Sequence, residues 1–156
     1  MINELFHRGR LPVILQSEGS ECGLACLVMV ASQQGRRSTL SELRAKFSLS
    51  LKGVTLQNLI RYADTMGLAA RPIRCETEEL PQVALPAILH WDLDHFVVLA
   101  RVNRKTIVVH DPAKGRRTIP IEVASKHFTG VALELMPSPL FVTKTDVERL
   151  KISDLW

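Results

Sequence analysis

The sequence predicts an α+β domain, with helices in its first half and an antiparallel sheet in its second. Three observations carry this. Apolar residues recur at helical spacing up to Gly67, the pattern then turns to short β-branched runs, and tight turns separate those runs. The chain has 156 residues, enough for one domain with a sizeable core. With 46% hydrophobic and 23% charged residues it is an ordinary globular composition, which argues against a disordered chain.

In chain order, residues 1–12 form an N-terminal arm, and Val13, Ile14 and Leu15 read as a short strand or extended entry. The loop Gln16-Ser17-Glu18-Gly19-Ser20-Glu21 then runs into an apolar segment, with Ser20 and Glu21 where a helix is capped. That segment predicts a central helix over 22–34, apolar round most of its circumference and stopped by Gly35. Thr39-Leu40-Ser41-Glu42 fits a capping box, with Leu40, Leu43 and Phe47 facing inward on a second helix. Thr55 caps a third, which carries Leu56, Leu59, Ile60, Ala63 and Met66 and ends at Gly67. The loop over 48–53 is an interhelical connection, apolar enough to serve as a contact surface.

Strands are predicted over 69–75 (at an edge, because of Pro72), 87–91, 95–102, 106–111, 118–121 and 131–135. A turn or short helix is expected at 77–80 and a helix over 122–128. Pro137 and Pro139 break the pattern, so 13–136 is one domain and 137–156 a charged, amphipathic connector.

The net charge of +4 comes from scattered basic residues. Clusters such as Lys114-Gly115-Arg116-Arg117 read as solvated turns, with an anionic surface as the lesser option. Basic residues interleaved with aromatics are absent, which argues against nucleic acid as a partner. Cys22, Cys26 and Cys75 make an odd number without disulfide-scaffold spacing, which favours a reducing compartment. No N-terminal signal and no run of about 18 apolar residues is present, so this stretch is expected to be soluble and not secreted.

Chemistry concentrates at two places. Cys22 falls in the first turn of the central helix, where unpaired N–H groups and the helix dipole favour a thiolate nucleophile. Gln16, six residues earlier, offers a side-chain amide that can join the Cys22 N–H in an oxyanion hole. Two rival readings stand beside this one: a cysteine among apolar residues is often plain core, and Cys22 and Cys26, four apart, share a helical face and can ligate a metal. No Cys or His pattern elsewhere completes such a site, so no metal is expected, and Cys26 reads as core.

The second place is the hairpin of 95–102 and 106–111. If its turn centres on Arg104, facing residues sum to 208, and Val97 faces Asp111. His95 then lies diagonal to Asp111 on the same face, ~7–8 Å away at Cα and within reach. Asp111 can hold one imidazole nitrogen and leave the other for a thiol. A slip of one residue puts the two on opposite faces. His90 and His110 compete for the role of base, although His110 points to the other face by alternation. His7 and His127 are less favourable. Trp91 reads as packing that can also line a cleft, and Asp94 as a charged neighbour that can raise the pKa of His95.

Gln16, Ser20-Glu21-Cys22-Gly23-Leu24-Ala25-Cys26, His95-Phe96-Val97-Val98-Leu99 and His110-Asp111-Pro112 together resemble the papain-like peptidase domains at the N-terminus of bacteriocin- and microcin-exporting ABC transporters of the colicin V exporter type. Leu89-His90-Trp91 and the stretch from Phe128 to Glu134 resemble them too. The resemblance covers about 12–136 and implies a papain-like fold. It implies a cysteine endopeptidase that removes a leader after a Gly-Gly pair, coupled to export. Cys22 would be the nucleophile, His95 the acid and base, Asp111 its orienter and Gln16 the oxyanion donor. Glu21, Trp91 and Asp94 are added as substrate-binding candidates. The implied partners are a precursor with a double-glycine leader and the transmembrane and nucleotide-binding parts of the same transporter. That transporter would be dimeric, with this domain on the cytoplasmic side of the inner membrane. No cofactor is implied for the domain, and ATP belongs to the nucleotide-binding part. Degenerate relatives only bind their substrate, so a non-catalytic docking domain is the alternative.

Overall fold

The computed structural model describes residues 9–47 and 53–138. The helices come first: α1 (Cys22–Gln33, entered through a 3-10 turn, Gly19–Glu21), α2 (Leu40–Lys46) and α3 (Leu56–Thr65). They are followed by β1 (Leu68–Arg74), β2 (Ala87–Trp91), β3 (His95–Val102), β4 (Thr106–Asp111), β5 (Gly115–Pro120), a short α4 (Ile121–Ala124) and β6 (Phe128–Pro137). The strands form one antiparallel sheet in the order β1-β6-β2-β3-β4-β5. This is the expected α+β order, with β1 and its Pro72 at one edge.

α1 is buried on all sides from Cys22 to Ala31 because it is apolar all round. With α2 and α3 it packs on one sheet face, against Ile88, Phe96, Val98, Leu133 and Leu135. The alternate residues of the same strands, among them Leu89, Val97, Leu99, Ile107 and Val109, build a second core on the other face under Leu80 and Ala124. Thr39 and Glu42 make the expected capping box, and Thr55 Oγ1 accepts from the Asn58 N–H to start α3.

Several sequence expectations need correction. Of the two readings of residues 13–15, the strand is not formed, and the chain after them is tied down where the Gln16 N–H donates to the Pro112 carbonyl (2.9 Å). The helix expected over 122–128 is one turn long, and the last strand takes up residues from Phe128 through Pro137. The sheet offers that segment more hydrogen bonds, since β6 pairs with both β1 and β2. β5 likewise begins earlier than expected, at Gly115. Of the arm, residues 9–12 lie on the fold: the Gly9 N–H donates to the Gln33 carbonyl (2.9 Å) and Leu11 packs on the first core. The rest of the arm with His7, most of the 48–53 loop and the connector from 139 onward lie outside the described residues. No helix among the described residues is long and apolar enough to cross a membrane.

Candidate active site

His95 begins β3 in the row of Val97 and Leu99, and Asp111 ends β4 in the row of Ile107 and Val109. Those rows belong to the second core, whereas Cys22 belongs to the first. The three come near one another at one end of the sheet, where α1 packs against β3. His95 Nε2 donates to Asp111 Oδ1 at 2.7 Å. Cys22 lies close enough to the same ring to act on its charge. Asp111 has taken Nε2, so Nδ1 is the nitrogen left for sulfur. Asp111 Oδ1 also accepts the Ala113 N–H (2.8 Å).

Electrostatics follow from burial. The His95 side chain is 18% exposed and that of Asp111 4%. Burial pulls the His95 pKa down, but the hydrogen bond to Asp111 and the contact with Cys22 outweigh it and raise the pKa to about 9. Burial of Asp111 works against its charge, yet the bonds from His95 and the Ala113 N–H, with Arg117 nearby, keep its pKa below the usual carboxylate value. Asp94, expected to raise the histidine's pKa, is not among the groups that do so. Burial, then the charges of Cys22 and Asp111, push the Cys26 thiol well above its ordinary range, in keeping with a core residue.

Gln16 is held at both ends of its residue, its N–H by Pro112 and its side-chain Nε2 by the Glu18 carbonyl (3.0 Å). An amide nitrogen carries two hydrogens, so one remains for another acceptor. Beside His95 opens a cleft of about 330 Å³ whose walls include Trp91, Asp94, Asp111, Lys114, Arg117 and His127. Trp91 is almost buried and stacks on His127 (5.4 Å between ring centres), so it is packing and wall at once. A larger hollow of about 720 Å³ between α3 and β1 is lined by Ile60, Arg61 and Ala70 and carries no nucleophile.

The other candidates are accounted for. Glu21, expected at the substrate, is fully buried, and its carboxylate is spent on the protein's own loop. His110 is buried between the Pro12 carbonyl, which accepts from Nδ1 (2.8 Å), and Arg116, which donates to Nε2 (3.1 Å). Neither nitrogen is free to act as a base. His90 Nε2 donates to the Leu93 carbonyl (2.7 Å) and Nδ1 meets the Thr129 hydroxyl (2.8 Å). It braces the β2–β3 turn, where Asp92 and Leu93 adopt positive φ (51° and 70°). His127, set aside in the sequence, lines the cleft and bonds Asp92 (2.7 Å). Its partner is 35 residues away, so no local pattern announces it. Lys114 and Arg117 had a signal, their closeness to Asp111 in the sequence.

A model of the peptidase C39 family matches residues 10–139. The chain belongs to the peptidase C39 family. Two curated Escherichia coli proteins are similar to it: the colicin V secretion/processing ATP-binding protein CvaB (46% identical over 146 residues) and the probable microcin-H47 secretion/processing ATP-binding protein MchF (44% over 148). The matches cover 94% and 95% of this chain but 21% of each relative, so the chain spans about a fifth of their length. Among solved structures, a double glycine motif protease from an AMS/PCAT transporter in complex with the leader peptide superposes with a TM-score of 0.78 at 37% identity. That match covers 84% of this chain and 94% of the other. The peptidase domain of Streptococcus ComA has a TM-score of 0.75 at 22% identity, over 83% of this chain and all of the other, and shows the shared fold. The C39 chain described here is thus a papain-like cysteine peptidase domain, as its sequence predicts.

Proposed function

We propose that this C39 domain removes the leader of a secreted bacteriocin or microcin precursor by hydrolysis after a Gly-Gly pair, as the processing part of an exporting ABC transporter. The observation that supports the reading is the His95–Asp111 hydrogen bond beside the cleft, with Cys22 acting on the same imidazole. In this reading Asp111 holds Nε2 and leaves Nδ1 for the sulfur, and His95, with its pKa raised to about 9, is protonated at neutral pH. An imidazolium beside a thiol supports the thiolate, the attacking species.

In this mechanism the Cys22 sulfur attacks the carbonyl carbon of the second glycine. The oxyanion takes hydrogen bonds from the Cys22 N–H and the remaining N–H of Gln16, each worth ~3–4 kcal/mol in the transition state. His95 Nδ1 gives its proton to the leaving amine, which departs with the mature peptide along the cleft beside the imidazole. Water, deprotonated by His95, then attacks the thioester. The thiolate is expelled, and the second glycine leaves as a free carboxylate. No step asks for a metal or organic cofactor within the domain. The wider reading places the domain on the cytoplasmic side of the inner membrane. There it is joined to transmembrane and ATP-using parts of a dimeric transporter.

The test is cleavage of a synthetic leader peptide ending in Gly-Gly and extended by several residues, read by mass spectrometry. Products cut after the second glycine, lost with Cys22→Ala and with an Ala-Ala peptide, support the reading. Binding without cleavage, unchanged by Cys22→Ala, refutes it in favour of a docking domain.

A further inference from the structure

The loop from Gln16 to Cys22 carries both proposed oxyanion donors, one at each end, and something must hold its shape. Glu21 is the residue placed to do so. Its side chain is 1% exposed, deeper than any other carboxylate in the described ion pairs. Oε2 accepts the Ser17 N–H (3.0 Å) and the Glu18 N–H (3.2 Å). Oε1 accepts from Nε of Arg44, which reaches in from α2 with its own side chain 44% exposed. The Glu18 carbonyl in turn holds Gln16 Nε2 (3.0 Å). A chain of bonds therefore runs from α2 through Arg44, Glu21 and Glu18 to the Gln16 amide, while Glu21 is joined directly to Cys22.

We propose that Glu21 and Arg44 are positioning residues for the oxyanion hole: the Arg44 charge holds the buried Glu21 carboxylate, which in turn fixes the Gln16–Cys22 loop. This rests on the peptidase reading above. A neutral side chain does not replace the carboxylate: the single acceptor oxygen of glutamine can keep the Ser17 and Glu18 amides only by aiming its own N–H groups at the Arg44 guanidinium. The Arg44 bond, opposed by burial and helped by the Ser17 and Glu18 amides, lowers the Glu21 pKa and so favours the carboxylate. Without Arg44 a buried charge loses its only cationic partner among the described residues, and the loop relaxes to rehydrate it.

Three measurements on Arg44→Met, with Glu21→Gln as a second variant, test this. The first is kcat on the Gly-Gly peptide, expected to fall roughly 10- to 100-fold with KM little changed, as for donors displaced by a fraction of an ångström. The second is affinity for a peptide aldehyde ending in Gly-glycinal, whose hemithioacetal places an oxygen in the oxyanion hole and which should weaken by the same factor. The third is alkylation of Cys22 by iodoacetamide, which develops no oxyanion and should keep its wild-type rate. Arg44→Lys should recover part of the lost kcat. An unchanged kcat overturns the proposal, and so does an alkylation rate that falls in step with kcat, since that marks general damage to the thiol–imidazole pair. A wild-type chain that neither cleaves the peptide nor binds the aldehyde refutes the peptidase reading itself, and this inference with it.

Discussion

Replacing Asp111 by Asn should remove a charge and little else. One oxygen of this side chain, Oδ1, accepts from both His95 Nε2 (2.7 Å) and the Ala113 N–H (2.8 Å). The amide oxygen of Asn can take both in the same place. What disappears is the negative charge beside the imidazolium. An adjacent opposite charge moves a pKa by about 1–3 units, and Asp111 shares the upward push on His95 with Cys22, so the variant's imidazole should titrate roughly one to two units lower. The alkaline limb of kcat/KM, which follows the imidazolium needed by the leaving amine, should therefore move down from about 9. The stability effect has a definite sign. A raised histidine pKa contributes stability that is full below the ordinary 6.5 and lost as pH rises through about 9. Asp111, with its lowered pKa, contributes above the ordinary 3.8, and that is lost as pH falls through the lowered value. The excess stability of wild type over Asp111→Asn should thus be largest between these limits, at roughly 1.5–3 kcal/mol for one to two units, and shrink towards both. Two assays read this: the pH profile of Gly-Gly peptide cleavage, and urea midpoints at several pH values. An alkaline limb still at about 9 in Asp111→Asn would refute the assignment of the carboxylate as the source of the shift. Asp111→Ala, which also frees the ring, should lose more activity than Asn.

Gln16→Ala should lower kcat by about 10²–10³ with little change in KM, the cost of one oxyanion donor, measured on the same peptide. Thiol reactivity should separate the three cysteines: peptide mapping after limited iodoacetamide treatment should find Cys22 modified first. Cys26, fully buried with its pKa pushed up, should stay unmodified until the protein unfolds, and Cys75, also raised by burial and its acidic neighbours, should react slowly. A Cβ on Gly23 would meet Leu59 Cδ1 at 3.3 Å, Val54 Cβ at 3.4 Å and Phe96 Cδ2 at 3.5 Å. Gly23→Val should accordingly cost about 1–3 kcal/mol of stability by overpacking, seen as a lower urea midpoint, and Gly23→Ala much less.

What could be read in the sequence was whatever depends on neighbours along the chain. The apolar run after Cys22 marks a buried helix because no polar face interrupts it, and that alone places the thiol at a helix start. Thr39, Glu42 and Thr55 mark helix starts because capping is made within one turn. His95 and Asp111 could be brought near each other across sixteen residues because a hairpin is the shortest-range tertiary contact, but a turn centred on Arg104 gives their register only because β3 carries an irregularity further along. The failures share the opposite cause. Phe128 carries no local signal for leaving the helix, since its partner is Trp91 of β2, and residues 125–127 close a turn in between. Glu21, beside the nucleophile in sequence, stood as a substrate-binding candidate because Arg44, which pairs with it inside the fold, is 23 residues away.

The pairing of His95 with Asp111 shows the division most clearly. Near the turn the strands pair with sums of 209, Arg101 with Val108 and Val102 with Ile107. Nearer the site they pair with sums of 208, Leu99 with Val109 and Val98 with His110. A bulge at Ala100 makes the change. Had the turn's register continued unbroken, Val98 would face Asp111, and His95 would lie on the other side of the sheet. The sequence by itself determined which residue types were available and in what order. One extra residue in β3, set by the pairing of whole strands, decided that the imidazole and the carboxylate share a face. The packing of α1 over the end of the sheet decided that the thiol meets them, because only burial of two cores against one sheet brings a helix start to a strand end.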